Sequence, residues 1–208
     1  MKYDGLIFDL DGTLWDSGEG ICQTWKEVIS RYPEVKSTVT IEKLHACMGL
    51  QLEEIAGRLF PEVDSTMQMK LMNECCTYEN EYLEKHGGII YPQLENVLKV
   101  LSEKYSLFIV SNCQSGYIES FFKAHDTAKY FNDIECYGNT GKSKGENIKL
   151  IIQRNNLNNS VYIGDTAGDA KSATDAGIPF IYARYGFGNV EKYDYVIDSF
   201  DQLLQILL

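Results

Sequence analysis

The amino-acid sequence predicts an α/β protein, a doubly wound and mainly parallel sheet interrupted by an all-helical insert. Three observations carry this. A short apolar run, Leu6-Ile7-Phe8, reads as a buried strand that ends on Asp9. From about residue 17 to 87 only helical periodicity is present. Beyond residue 88, strand-like and helix-like segments alternate, as they do in parallel sheets joined by crossover helices.

In the insert, Ile21, Trp25, Val28, Ile29 and Tyr32 keep one face of a first helix, which ends before Pro33. Thr40 is placed to cap a second helix that stops near Gly49. Leu52, Ile55, Ala56, Leu59 and Phe60 mark a third, ended by Pro61. Ser65 is the expected cap of a long fourth helix whose apolar face carries Met67, Leu71, Cys75, Tyr78 and Tyr82. Lys85 and His86 suit its negative end, and Gly87-Gly88 stops it.

After the insert, residues 92–104 read as a helix and 107–110 as a strand. Residues 117–124 are helical and 133–136 form a short strand. A helix at 145–154 precedes a strand at 161–163, and a helix at 169–176 precedes a strand at 179–182. A last strand at 195–197 leads to a terminal helix. The expected organisation is a Rossmann-like core of residues 1–16 and 88–208 with a cap of residues 17–87. Because the insert emerges just beyond Asp9 and Asp11, it can sit over them.

Charge and composition narrow the function. The net charge of -11 disfavours a nucleic-acid or anionic-membrane partner. It also means that an anionic substrate would need local positive charge from a metal or a few placed lysines. No apolar stretch reaches membrane-spanning length, and the N-terminus turns acidic at Asp4, unlike a signal peptide. The six cysteines include no C-x-x-C pair, which argues against a zinc ribbon or a thioredoxin-type site. Reduced thiols and a cytoplasmic location are expected.

The chemistry lies at the strand ends. "LIFDLDGT" places Asp9 and Asp11 at the end of the first strand, and "FIVSN" places Ser111 and Asn112 at the end of the second. "GKSKGEN" puts Lys142 and Lys144 in a loop entering a helix, and "VYIGDTAGD" puts Asp165 and Asp169 past a later strand. A parallel topology brings these ends to one edge, where open α/β sheets hold ligands. Clustered carboxylates repel unless compensated, and magnesium, a hard oxygen-seeking ion, is the expected partner. Such an ion would present positive charge to an anionic substrate. Gly12 and Thr13, in a tight turn, are expected to offer backbone N–H groups to the same anion.

Together "DLDGT", "VSN", "GKSKGEN" and "GDTAGD", in that order, resemble the haloacid dehalogenase-like hydrolase superfamily, with the helical insert as its smaller type of cap. The resemblance implies a magnesium-dependent phosphatase acting on a small phosphorylated metabolite. It implies Asp9 as the nucleophile that forms an aspartyl-phosphate and Asp11 as general acid and base. Thr13, Ser111, Asn112 and Lys144 would bind the phosphoryl group. Magnesium would be held by Asp9, the Asp11 carbonyl and Asp165, with Asp169 supporting from behind. The presence of Asp11 argues against dehalogenation, because a halide leaving group needs no proton. Lys144 is preferred over Lys142 because "KGENI" opens the helix as the motif does. Gly145 stands where related members often have proline.

The sequence looks most like phosphoglycolate phosphatase-like members. The rival within the family is a sugar-phosphate mutase of the β-phosphoglucomutase type. Those enzymes carry an arginine three residues after the cap-loop glycine, where this chain has Leu52. Outside enzymes, a phospho-receiver domain or a silent binding member are the other readings. Receivers, however, are shorter and lack a helical insert. Lys43, His45, Gln51 and Arg58 are the candidate cap contacts to the leaving group. Either a monomer or a homodimer is consistent with the sequence.

Overall fold

The computed structural model describes residues 3–208. Strand β1 (Gly5–Phe8) is buried along its whole length, as its unbroken apolar sequence requires of a strand covered on both faces. The chain then runs through β2 (Trp15–Asp16), α1 (Gly18–Ile29), α2 (Ile41–His45), α3 (Leu52–Leu59), α4 (Ser65–His86) and β3 (Ile89–Ile90). It continues with α5 (Leu94–Ser102), β4 (Ser106–Ser111), α6 (Tyr117–His125), β5 (Asp133–Cys136), α7 (Tyr137–Thr140) and α8 (Lys144–Arg154). The remaining elements are β6 (Ser160–Gly164), α9 (Ala167–Ala176), β7 (Phe180–Ala183), β8 (Tyr195–Ile197) and α10 (Leu203–Leu207).

Among the described residues six strands form one parallel sheet in the order β5-β4-β1-β6-β7-β8. The chain leaves β1 to build β4 and β5 on one side, then crosses to build β6, β7 and β8 on the other. β1 therefore lies at the switch point, where the loops on either side diverge and leave a crevice. Phe8 is level with Ile109 of β4 and Ile163 of β6, so the residues just beyond all three strands meet at one edge.

Alternate residues of the strands face opposite sides. Ile7, Phe108, Val110 and Tyr162 pack with Ile148 and Ile151 of α8 and Ala173 of α9. Leu6, Phe8, Leu107, Ile109 and Ile163 face α5 and α6, and that cluster runs on without a break into the helices of the insert. Each such side chain contributes about 1.5–3 kcal/mol of burial.

Helices α1–α4 form the helical region between β2 and β3. Trp15 pairs with Ile90 and Asp16 with Ile89, so the chain leaves and re-enters the core through a two-residue antiparallel ribbon. Helix α4 packs against α1, α3 and α6, which couples the insert to the core. Thr40 caps α2 through Lys43 N–H, as the sequence predicts. Two expectations for α4 need correction. Its cap is Asp64, whose carboxylate accepts from the Met67 N–H, with Ser65 as the first helical residue. Its buried stripe is Leu71, Met72, Cys75, Cys76, Glu79 and Leu83, not one running through Tyr78 and Tyr82. Those tyrosines turn half outward, each with its hydroxyl on a polar residue of α1.

Candidate active site

Asp9 follows β1 directly, and its N–H donates to the Ile163 carbonyl of β6, which fixes its backbone to the sheet edge. Lys144 opens α8 behind a capping box between Ser143 and Glu146. Its ammonium lies 3.0 Å from Asp9 Oδ1, an ion pair rather than an aligned hydrogen bond. The same ammonium donates to Asp169 Oδ1 at 2.6 Å. All three side chains are buried. Burial alone would lower the Lys144 pKa, but Asp169 and Asp9 outweigh it and hold the ammonium charged. Lys142, two residues earlier, is exposed.

Asp169 belongs to a second capping box, in which Thr166 accepts from the Asp169 N–H. In return Asp169 Oδ2 accepts from the Thr166 N–H and hydroxyl, at 2.9 and 2.7 Å, and from the Asp165 N–H at 3.3 Å. Both of its oxygens are thereby committed. Asp165 differs. Its Oδ2 accepts from the Phe187 N–H at 2.7 Å, while its Oδ1 is buried with no hydrogen-bond partner. The backbone comes close here only because Gly12 (φ +78°) and Gly186 have no side chains. A Cβ on either residue would overlap the Asp165 carboxylate.

Carboxylate oxygens of Asp9, Asp165 and Asp169 all lie within 4.8 Å of one another, with one ammonium among them. This leaves excess negative charge. Burial, then the charge of Asp169, pushes Asp9 up to about 7. Burial, then Asp169 and Asp9, pushes Asp165 up to about 8. The partnerless Asp165 oxygen and the all-oxygen donor set fit a hard divalent cation.

Asp11 stands apart from this cluster. Its Oδ1 accepts from Tyr117 and Ser17 hydroxyls, each at 2.8 Å, and those two hydroxyls lie 2.6 Å from each other. Burial raises its pKa to about 6 against the pull of Tyr117, Ser17 and Trp15. Asp9, Asp11, Ser111 and Asn112 all line one small cavity between the sheet edge and the insert, about 60 Å³ in volume. The Asn112 amide donates to the Gly49 carbonyl of the insert at 2.7 Å. Thr13 is buried beneath the turn, its hydroxyl without a partner and its carbonyl accepting from Tyr185.

Two expectations do not hold at this edge. The Gly12 and Thr13 N–H groups are turned into their own loop, donating to the Trp15 and Leu10 carbonyls, so neither is offered to an anion. Lys43, His45, Gln51 and Arg58 do not line the cavity. Lys43 reaches the Thr38 carbonyl, and His45 lies against Asp16 and stacks on Phe187. The insert's contribution is instead largely apolar, apart from Glu79. Sequence reasoning also missed Ser17, Tyr117 and Phe187. Only Tyr117 carried a signal, as an amphipathic residue at a helix start.

Buried carboxylates sharing a lysine at the ends of parallel strands, beside a cavity lined by a further carboxyl, form a site suited to binding and transferring an anionic group. The chain belongs to the haloacid dehalogenase-like hydrolases, whose family model matches residues 6–183. It is 23% identical to a phosphoglycolate phosphatase of Vibrio parahaemolyticus over 97% of this chain and 95% of that one. Among solved structures it is similar to a haloacid dehalogenase-like family hydrolase of Streptococcus pneumoniae. That match has a TM-score of 0.86 and 21% identity, over 100% of this chain and 99% of the other. A structure described as a predicted phosphoglycolate phosphatase from Haemophilus somnus superposes with a TM-score of 0.87 at 18% identity. It covers 100% of this chain and 99% of that one.

Proposed function

We propose that this hydrolase is a magnesium-dependent phosphatase that cleaves a small-molecule phosphate monoester through an aspartyl-phosphate on Asp9. The observation that carries the reading is the Lys144 ammonium set between Asp9 and Asp169, with Asp165 completing the cluster. Relatives named as phosphoglycolate phosphatases support the reaction class.

A carboxylate oxygen of Asp9 attacks phosphorus in line, and the bond from phosphorus to the ester oxygen breaks. Asp11, as the neutral acid, gives its proton to the departing alkoxide. The Asp11 carboxylate then takes a proton from water as that water attacks the phosphorus. The bond from phosphorus to Asp9 breaks, inorganic phosphate leaves, and both carboxyl groups return to their starting states. Tyr117 and Ser17 hold Asp11 in one orientation through both transfers. An Asp11 pKa of about 6 suits a group that must serve as acid and then as base near neutrality.

Lys144 and the Ser111 hydroxyl meet the negative phosphoryl oxygens, and Lys144 also keeps Asp9 oriented. Asn112 ties this loop to the insert. Asp9, Asp165 and the Asp11 carbonyl would hold magnesium, with Asp169 fixing Lys144 behind them. When bound, the ion offsets the repulsion among the carboxylates and between Asp9 and the incoming phosphate. The core would comprise residues 1–16 and 88–208, of which 1–2 lie outside the described residues, with residues 17–87 acting as a cap that closes over the ester.

Hydrolysis of p-nitrophenyl phosphate, with and without magnesium, tests this reading. Metal-dependent turnover to free phosphate is expected. A stable phospho-protein without turnover would favour a receiver-like role and overturn it.

A further inference from the structure

The cavity has an unusual charge arrangement. Ile21, Trp25, Leu44, Met48, Leu52 and Ile55 give it an apolar wall. Among the described residues lining it there is no lysine, arginine or histidine. The polar side chain from the insert is Glu79 of α4, which is 2% exposed. Its Oε2 accepts from the Trp25 indole N–H at 2.5 Å, and its Oε1 from the Gln114 amide at 2.9 Å. Neither donor is charged, and among the described residues Glu79 forms no ion pair.

A carboxyl buried without a cation is costly unless it is neutral or a partner arrives. Each of its oxygens can accept a further hydrogen bond. Lys144 cannot serve, because it is committed to Asp9 and Asp169. A leaving group carrying a carboxylate or a second phosphate would enter an apolar wall with no counter-charge and meet Glu79 there. An ammonium would find the opposite, a carboxylate acceptor beside the Trp25 and Tyr117 rings.

Resting on the phosphatase reading, we propose that the preferred substrate is a short aminoalkyl phosphate, whose protonated amine pairs with Glu79, and that anionic leaving groups are excluded. Glu79 is thus the specificity-determining residue of the insert. Buried in the folded protein, its carboxyl is held largely neutral when the cavity contains no cation, and an ammonium draws the proton off by stabilising the charged form.

Three esters matched in size separate charge from shape: 2-aminoethyl, 2-hydroxyethyl and carboxymethyl phosphate, assayed with magnesium alongside p-nitrophenyl phosphate. We expect kcat/KM to fall in that order, by about tenfold at each step, first for the lost ion pair and then for an anion left without a counter-charge in a desolvated site. Glu79→Gln should reduce the aminoethyl-to-hydroxyethyl ratio by about tenfold, mainly through KM. Carboxymethyl phosphate cleaved as well as the hydroxyethyl ester by the unaltered enzyme would overturn the assignment, whatever the variant does. So would equal losses on all three esters in a folded Glu79→Gln protein, the mark of a merely structural carboxyl. Failure to cleave any ester, p-nitrophenyl phosphate included, would instead remove the phosphatase reading and this assignment with it.

Discussion

Replacing Glu79 by glutamine should flatten part of the protein's pH-dependent stability. Burial raises this carboxyl from 4.5 to about 8; Gln114 and Trp25 pull it down less strongly, and the charge of Asp11 adds a small upward push. The folded state therefore holds the proton more tightly than the unfolded chain. Below pH 4.5 the group is protonated in both states and its contribution is constant. Between pH 4.5 and 8 the unfolded chain has released the proton while the fold keeps it, so stability falls as pH rises. Above about pH 8 the loss is complete. At 1.36 kcal/mol for each pKa unit, the full shift corresponds to about 5 kcal/mol, and relaxation around the charge brings the expected loss to about 2–5 kcal/mol. That is a large share of the roughly 5–15 kcal/mol that stabilises a domain. Glutamine keeps an acceptor for Trp25 and removes the titration. Urea unfolding of chelator-treated wild type and Glu79→Gln at pH 5 and pH 8 measures the difference. The raised acids Asp9, Asp11 and Asp165 are common to both proteins and largely cancel. Because the group is already part-way through its titration at each end of this window, wild type should lose about 2–3.5 kcal/mol more than the variant between the two pH values. An identical pH dependence in both would refute the placement of Glu79 as an uncompensated buried carboxyl.

Asp9→Asn should leave the melting temperature within a few degrees of wild type, since Lys144 keeps Asp169, and should abolish ester turnover; substantial residual hydrolysis would reject Asp9 as nucleophile. Lys144→Met strands Asp9 and Asp169 without their cation, and should cost about 3–5 kcal/mol in urea unfolding, as expected when one member of a buried ion pair is removed. Chelation with EDTA should stop hydrolysis and magnesium should restore it; an enzyme indifferent to both would take the cation out of the account.

Much of the core was legible because its signals are local. The apolar runs at 6–8, 107–110 and 161–163 are buried strands, and each ends where a polar motif begins. One parallel register then brings Asp9, Ser111 and Asp165 to one edge. What escaped is carried by long-range or very short features. The ribbon of Trp15–Asp16 with Ile89–Ile90 has two residues a side, too few for any periodicity to register. At the start of α4, Asp64 and Ser65 are both capable caps, and only the backbone decides between them. The free-looking N–H groups of Gly12 and Thr13 are consumed by the turn that presents Asp11, an outcome of loop geometry that composition does not encode.

Glu79 is the most instructive omission. A glutamate on a long helix reads as solvated, and the donors that hold it stand 54 and 35 residues away in the chain. The same holds for Tyr117, which meets Asp11 across 106 positions. The cap contacts expected from basic residues failed for the converse reason. Lys43 and Arg58 lie on solvated faces of α2 and α3, while the apolar residues of the same helices turn inward.

The central claim, covalent transfer to Asp9, is open to direct capture. The enzyme would be mixed with magnesium and a phosphate ester, quenched during turnover with borohydride, and mapped by peptide mass spectrometry. An acyl phosphate is reduced to the alcohol, so residue 9 should be recovered as homoserine only when ester is present. Rapid release of phosphate with residue 9 recovered unchanged, or with homoserine at another aspartate, would contradict it.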